Sequence, residues 1–448
     1  MLTRTPKESS FTTHDGEALT YRRWPALATP AKGAIVLLHR GHEHSGRLAH
    51  LVHELNLPDF DFFAWDARGH GLSPGPRGFS PGVGTSVRDV QSFVAHIAAS
   101  HRIAPKDMVV VGQSVGAVLA AGWVHDYAPD IRGLILAAPA FRVKLYVPFA
   151  RPLLRAAQAL AGDFFVNSYV KAKLLTHDRE RIAAFESDPL IARAISVNML
   201  LGLDELSKRL IEDAATITLP TQLLISGSDW VVDPAPQHRF YERLGSPVKE
   251  RHVFEGFYHD TLGEKDRAIA VRKARSFILE RFSEAALRPS LLDADKSGHT
   301  RSEADRLASP LPALSPRGLY WAATRAGLRA GGWLSKGLAL GRQTGFDSGS
   351  TLDYVYANRA EGRTWLGRVL DRLYLDSIGW KGIRRRKVHV EELLKDAMAR
   401  TREAGAGVSI LDIAAGHGRY VLDAVQGSEV QPDSIRLRDY DDRNVAAG

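Results

Sequence analysis

The chain has 448 residues, more than one ordinary core would use, and its 44% hydrophobic and 25% charged residues are the composition expected of a soluble globular protein. With no cysteine, it excludes a disulfide framework, a thiolate nucleophile and a Cys-ligated zinc, and it fits a reducing cytoplasm. The net charge of +8 is local: residues 281–400 carry 21 Lys and Arg against 13 Asp and Glu, so the remainder is neutral overall.

The opening Met1-Leu2-Thr3-Arg4-Thr5-Pro6-Lys7 leads into no apolar stretch, and no apolar run approaches the ~18 residues of a membrane span. Neither a signal peptide nor a transmembrane helix is expected, and the location expected is cytoplasmic. From residue 9 to about 285, strand-like and helix-like segments alternate, which predicts a mostly parallel sheet covered on both faces. The strands are expected at 19–24, 33–39, 61–66, 107–113, 132–138, 221–227 and 250–254, mostly as continuous apolar runs. Helices are expected near 47–56, 85–100, 115–127, 235–244 and 264–286.

Between Pro139 and Leu219 the alternation is interrupted by far more chain than a crossover helix needs, which predicts a helical cap over about 140–219. The cap mixes apolar patches such as Leu145-Tyr146-Val147-Pro148-Phe149 with Arg142, Lys144, Arg151, Arg155, Lys171 and Lys173. Over a reactive group this would form an apolar tunnel with a cationic mouth; alternatively, the patches only pack the cap onto the sheet.

Residues 287–317, with Pro289, Pro310, Pro312 and Pro316, predict a linker after a first domain of 1–286. A basic helical region is expected over 318–405. Its run Arg384-Arg385-Arg386-Lys387 is expected on a solvated face; a peripheral contact with an anionic membrane surface is the sharper alternative. No nucleic-acid motif accompanies the charge, so no nucleic-acid partner is expected. The last segment, 406–448, predicts a strand, a glycine turn at Gly416-His417-Gly418 and a helix, with Asp439 or Asp441 after the next strand in the place of a ribose-binding carboxylate. At most two strands precede Gly448, so this segment is expected to be the truncated start of a nucleotide-binding domain.

The most informative motif is Gly112-Gln113-Ser114-Val115-Gly116, between the β-branched run Val109-Val110-Val111 and a small-residue helix. Glycines flank Ser114 where a sharp strand-to-helix turn has no room for side chains, the posture of a serine nucleophile. A serine hydroxyl needs a base, and the base needs a carboxylate, in the chain order Ser, acid, His. Asp229 and His259 stand just past successive strands and fill those roles; Asp233 in the same loop is the alternative acid. His125 and His252 read as packing or surface residues. The oxyanion requires two backbone donors: the amide of Val115, and one from His39-Arg40-Gly41-His42-Glu43-His44-Ser45-Gly46-Arg47. His39, His42, Glu43 and His44 also admit a metal-cluster reading, but the loop lies where an oxyanion loop is required, so no metal is expected.

The 39–47 loop, Asp66-Ala67-Arg68-Gly69-His70-Gly71-Leu72-Ser73, the Ser114 elbow, Asp229 and His259 together resemble the monoacylglycerol lipase and lysophospholipase branch of the α/β-hydrolases, of the serine aminopeptidase S33 type. The resemblance covers about 10–285. It implies the α/β-hydrolase fold, an acyl-enzyme on Ser114, lipid esters such as monoacylglycerol or lysophospholipid as substrates, no cofactor for hydrolysis, and the second oxyanion amide at Gly41. In the family pattern His-Gly-x-Gly-Glu-His-Ser-Gly-Arg, the glycine after the first histidine is Arg40 here. The family elbow His-Ser-Met-Gly-Gly reads Gln113-Ser114-Val115-Gly116-Ala117. The C-terminal segment resembles the opening of a class I S-adenosylmethionine-dependent methyltransferase, which implies Asp412, Gly416 and Gly418 in a cofactor loop. The rival expectations are a bifunctional hydrolase and methyltransferase, and a non-catalytic hydrolase-like scaffold.

Overall fold

A computed structural model describes residues 4–168, 170–284, 292–296 and 298–448. Met1-Leu2-Thr3, the end of the helix expected at 264–286, and the start of the expected linker with Pro289 lie outside the described residues. The chain divides into two compact units, one reaching to Ala308 and one beginning at Ser309.

In the first unit the chain runs β1 (Lys7–Thr12), β2 (Ala18–Trp24), β3 (Gly33–Leu38), α1 (Ala49–Glu54), β4 (Phe60–Trp65), α2 (Val83–His101), β5 (Met108–Gln113), α3 (Val115–Tyr127) and β6 (Gly133–Ala137). A cap follows, with α4 (Ala150–Ala161), β7 (Phe165–Asn167), α5 (Arg179–Ser187), β8 (Ala194–Ser196) and α6 (Val197–Glu212). The main sheet then resumes with β9 (Thr221–Ser226), α7 (Ala235–Arg243), β10 (Lys249–Phe254) and α8 (Ala268–Ser283), before α9 (Gly298–Ala308).

Eight strands form one sheet in the order β1-β2-β4-β3-β5-β6-β9-β10. It is parallel from β4 to β10, while β1 and β2 are antiparallel additions at one edge. This is the α/β-hydrolase architecture, with the cap inserted after β6. Strand β1 is not among the expected strands, because its Lys-Glu-Ser-Ser-Phe-Thr buries only Phe11 and carries no apolar run. Along β5 the pleat sends Val110 into one core with the helices of one face, and Val109 and Val111 into the other.

Helix α3 is apolar all round and buried along most of its length, as a helix beneath a cap must be. Its start lies hard against the sheet: a Cβ on Gly116 would stand 2.5 Å from the carbonyl oxygens of Leu38 and His39. One on Gly112 would meet Ala117 Cα at 2.6 Å.

The second unit comprises α10 (Pro316–Leu334), α11 (Lys336–Thr344), α12 (Gly349–Ala357), α13 (Trp365–Leu375), α14 (Ile378–Glu403), β11 (Ser409–Ile413), α15 (Arg419–Gln426), β12 (Ser434–Arg438) and α16 (Asp442–Ala447). Its helices close on Tyr354, Val355 and Leu375, and on the buried Asp371 carboxylate, which accepts from Ser335 Oγ, Tyr354 Oη and the Gly337 and Glu361 amides. Strands β11 and β12 pair in parallel across the α15 crossover. Within the basic run, Lys387 is not on a fully solvated face as expected; it is half-buried between Glu391 and Asp423. Among the described residues no helix is long and apolar enough to cross a membrane.

Because the Gly116 contacts are to backbone, which cannot rotate away, Gly116→Ala is expected to lower stability by about 2 kcal/mol or more in urea unfolding. A change under ~0.5 kcal/mol would contradict this packing.

Candidate active site

The turn from β5 into α3 holds Ser114 at φ 52° and ψ −111°, far from ordinary helix or strand values. Its backbone is fully engaged: its amide donates to the Ala137 carbonyl at 2.9 Å, and its carbonyl accepts from Ala117 and Val118. The loop after β9 places Asp229, and the loop after β10 places His259. His259 Nδ1 is 2.7 Å from Asp229 Oδ2, and His259 Nε2 is 2.7 Å from Ser114 Oγ. A carboxylate can only accept, so Nδ1 carries the proton and Nε2 is left to accept from the serine hydroxyl.

All three side chains are buried. Asp229 Oδ1 accepts from the amides of Val231 and Val232 at 2.7 and 2.9 Å. Burial opposes the Asp229 charge, but His259 and these two amides outweigh it and keep its pKa below the usual carboxylate value. Asp233 is not brought to His259: its Oδ1 accepts from the Ala235 amide at the start of α7. His125 pairs with Asp126 and Asp213, and His252 with Glu250.

The loop after β3 brings Gly41 beside the elbow, where an added Cβ would stand 3.1 Å from Val115 Cγ2. The side chains of the metal-cluster alternative do not converge, and three of the four turn to different partners. His39 Nδ1 bonds the Arg40 carbonyl while its Nε2 accepts from the Ala67 amide, Glu43 pairs with Arg40 and Arg47, and His44 pairs with Asp188.

Ser114, Val115, His259, His39, Arg40, Gly41 and His42 open on one cavity of about 150 Å³, otherwise walled largely by apolar side chains such as Trp65, Leu119, Phe185, Met199 and Leu203. None of the six cap cations expected to form a cationic mouth lines this cavity. Arg142 pairs with Asp233, Arg151 and Arg155 with Asp204, and Lys144 Nζ donates to the Asp229 carbonyl. Among the described residues, the two guanidiniums that line the cavity are paired: Arg40 with Glu43, and Arg68 with Asp15 and Asp89.

Sequence reasoning missed how the cap holds the acid loop. Lys144 Nζ donates to the Asp229 carbonyl at 2.6 Å and Tyr146 Oη to that of Trp230 at 2.6 Å, contacts that no spacing pattern signals. Burial, with Arg40 adding repulsion, pushes the His42 pKa down to about 4. Burial, with His39, pushes that of His70 down to about 3. Glu43 lies at about 2: burial would raise it, but the Arg40 guanidinium prevails.

The second unit holds its own cleft, lined in part by Gly416, His417, Gly418, Asp439, Tyr440 and Asp441. Both glycines have positive φ, 58° and 68°. Asp439 accepts from the Gly416 and Asp441 amides and from Asn444 Nδ2. Asp412 does not line this cleft; its carboxylate accepts from Tyr420 Oη at 2.5 Å.

Fold and site together define an α/β-hydrolase. The family described as "Serine aminopeptidase, S33" matches residues 29–266, and the chain belongs to it; the family described as "Putative methyltransferase" matches residues 274–448. "Uncharacterized protein YnbC" of Escherichia coli (strain K12) is 55% identical over 99% of this chain and 76% of its own length. "Monoacylglycerol lipase" of Mycolicibacterium smegmatis is 25% identical over 62% of this chain and 99% of its own. The crystal structure of Paleococcus ferrophilus monoacylglycerol lipase shares the fold, with a TM-score of 0.52 and 22% identity over 62% of this chain and 99% of that one. The first unit is thus an α/β-hydrolase of the serine aminopeptidase S33 family, and the second is methyltransferase-like.

The depressed pKa values fix the sign of the pH dependence. Stability held by the two histidines is complete above their ordinary value of 6.5 and is lost as pH falls towards about 4 and about 3. That held by Glu43 is complete above 4.5 and is lost towards about 2. Urea unfolding is therefore expected to show lower stability at pH 5 than at pH 7.5, with the difference reduced in His70→Asn. Equal stability at the two pH values would contradict the burial of these imidazoles.

Proposed function

We propose that the first unit is a serine esterase acting on uncharged lipid esters, with monoacylglycerols as the substrate class. Ser114 Oγ attacks the ester carbonyl while His259 Nε2 takes its proton, and Asp229 holds the resulting imidazolium. The amides of Val115 and Gly41 receive the oxyanion. Collapse expels the alcohol, which takes the proton from His259. Water, deprotonated by the same imidazole, then releases the fatty acid from Ser114.

The observation that carries the substrate class is the cavity: its walls are largely apolar and its two guanidiniums are already paired with carboxylates. An uncharged ester fits such walls, whereas the phosphate of a lysophospholipid would meet no unpaired guanidinium or ammonium among the described residues that line the cavity. Phe149, Leu153 and Leu160, exposed on and beside α4, support the collection of substrate from a lipid surface.

A panel of long-chain monoacylglycerol, lysophosphatidylcholine and a short soluble ester tests this reading. Wild type is expected to prefer the monoacylglycerol. Ser114→Ala should lose at least about 10³-fold in kcat, and Asp229→Asn about 10⁴-fold. Turnover of the short ester alone would overturn the lipid reading, and near-full activity of Ser114→Ala would overturn the serine mechanism.

A second reading rests on the methyltransferase-like unit, whose cleft we propose binds S-adenosylmethionine. Gly416 and Gly418 let backbone approach a ligand closely, and Asp439 keeps acceptor capacity for ribose hydroxyls. When bound, the cofactor would supply an electrophilic methyl group. Calorimetric binding that weakens at least about 10-fold in Asp439→Ala is the expected result. No heat of binding by wild type would overturn it.

A further inference from the structure

Arg40, Gln113 and Asp260 are each the immediate sequence neighbour of a group used in the proposed reaction: Gly41, Ser114 and His259. The three side chains come from the loop after β3, the end of β5 and the loop after β10, and are only 3%, 3% and 1% exposed. Gln113 Nε2 donates to Asp260 Oδ1 at 2.5 Å. The other carboxylate oxygen lies 3.7 Å from Arg40 Nη2 and accepts from Arg181 Nη2, on cap helix α5, at 3.0 Å. Glu43 joins the same cluster by accepting from Arg40 Nη2 and Arg47 Nε, both at 2.7 Å. The Asp260 amide also donates to the Leu175 carbonyl in the cap at 2.8 Å.

Two of these residues are where the chain departs from the family pattern, with arginine in place of a glycine at 40 and glutamine in place of a histidine at 113. Both departures direct a side chain to the same carboxylate. Neither Gln113 nor Asp260 lines the substrate cavity, so substrate contact does not account for the arrangement. Burial works against the Asp260 charge, but the Arg181 and Arg40 guanidiniums outweigh it and hold its carboxyl far below the usual range. The carboxylate thus remains a fixed anion to which all three segments are tied.

Resting on the serine-esterase reading, we propose that Asp260 is a positioning residue, which through Gln113 and Arg40 sets the elbow, the base loop and the oxyanion loop in register. Reaction geometry tolerates little error, and displacement of a reacting group by about 1 Å costs on the order of 10²-fold in rate. Loss of the Asp260 charge frees the loops to shift against one another, so its effect falls on kcat rather than on substrate binding. A buried ion cluster with a purely structural role would lower the folded fraction and leave each folded site at full speed.

The experiment measures kcat and KM for a monoacylglycerol with the full chain, per active site counted by fluorophosphonate titration. The variants are Asp260→Asn, Gln113→Leu and the double variant, with Asp260→Glu as the conservative replacement. Asp260→Asn is expected to lose about 10²-fold in kcat with KM within about 3-fold, and Gln113→Leu about 10-fold. The double variant should fall no further than Asp260→Asn, because both substitutions cut the same tie. Asp260→Glu should recover part of the loss. If Asp260→Asn does not fold, Gln113→Leu, which keeps every charge, decides the matter on the same kcat criterion. Values of kcat per site within 3-fold of wild type in Asp260→Asn, or in Gln113→Leu where only that variant folds, overturn this inference and leave the esterase reading standing. A wild type that neither labels at Ser114 nor turns over an ester overturns both.

Discussion

Ser114 occupies a backbone conformation that an L-residue adopts only where its surroundings leave no alternative, and much of the first unit serves to enforce it. The turn is closed on one side by α3 packed onto Leu38 and His39, and on the other by the Ala137 carbonyl of β6. Those contacts exist because β5 lies in the interior of the sheet, between β3 and β6, with both faces covered. A strained turn of this kind is stable only on a scaffold that cannot relax around it.

From that fixed point the electrostatics follow. The hydroxyl, imidazole and carboxylate are withdrawn from water, and the charges around them are neutralised in pairs rather than left to face the cavity. The result is a nucleophile at the end of a largely apolar chamber, with a cap clamped to the acid loop by Lys144 and Tyr146. This balance is what separates an uncharged ester from an anionic one in the proposed reading, since a buried guanidinium already satisfied by a carboxylate offers a phosphate little.

The α/β-hydrolase fold was legible because strands buried on both faces are written as continuous apolar runs, and the cap because it breaks their rhythm. Strand β1 was not, since an edge strand with one buried residue has no pattern to read. The placement of Ser114, Asp229 and His259 at strand ends was legible for the same reason as the fold. The pairing of the cap cations was not, because Arg151 finds Asp204 and Arg142 finds Asp233 only after folding, and charge counted along the chain takes no account of partners across it. Likewise the meeting of Arg40, Gln113 and Arg181 on Asp260 joins residues that no periodicity connects. In the second unit the glycine turn was readable as a turn, but the capture of Asp412 by Tyr420 depends on side-chain reach alone.

The central claim is that acyl transfer passes through Ser114, and trapping the intermediate tests it most directly. Wild type mixed with a long-chain monoacylglycerol, quenched in acid within the first turnovers and digested, is analysed by peptide mass spectrometry. An acyl mass increment is expected on the peptide containing Ser114, absent from Ser114→Ala. Turnover with no acylated Ser114, or with the increment on another residue, would contradict it.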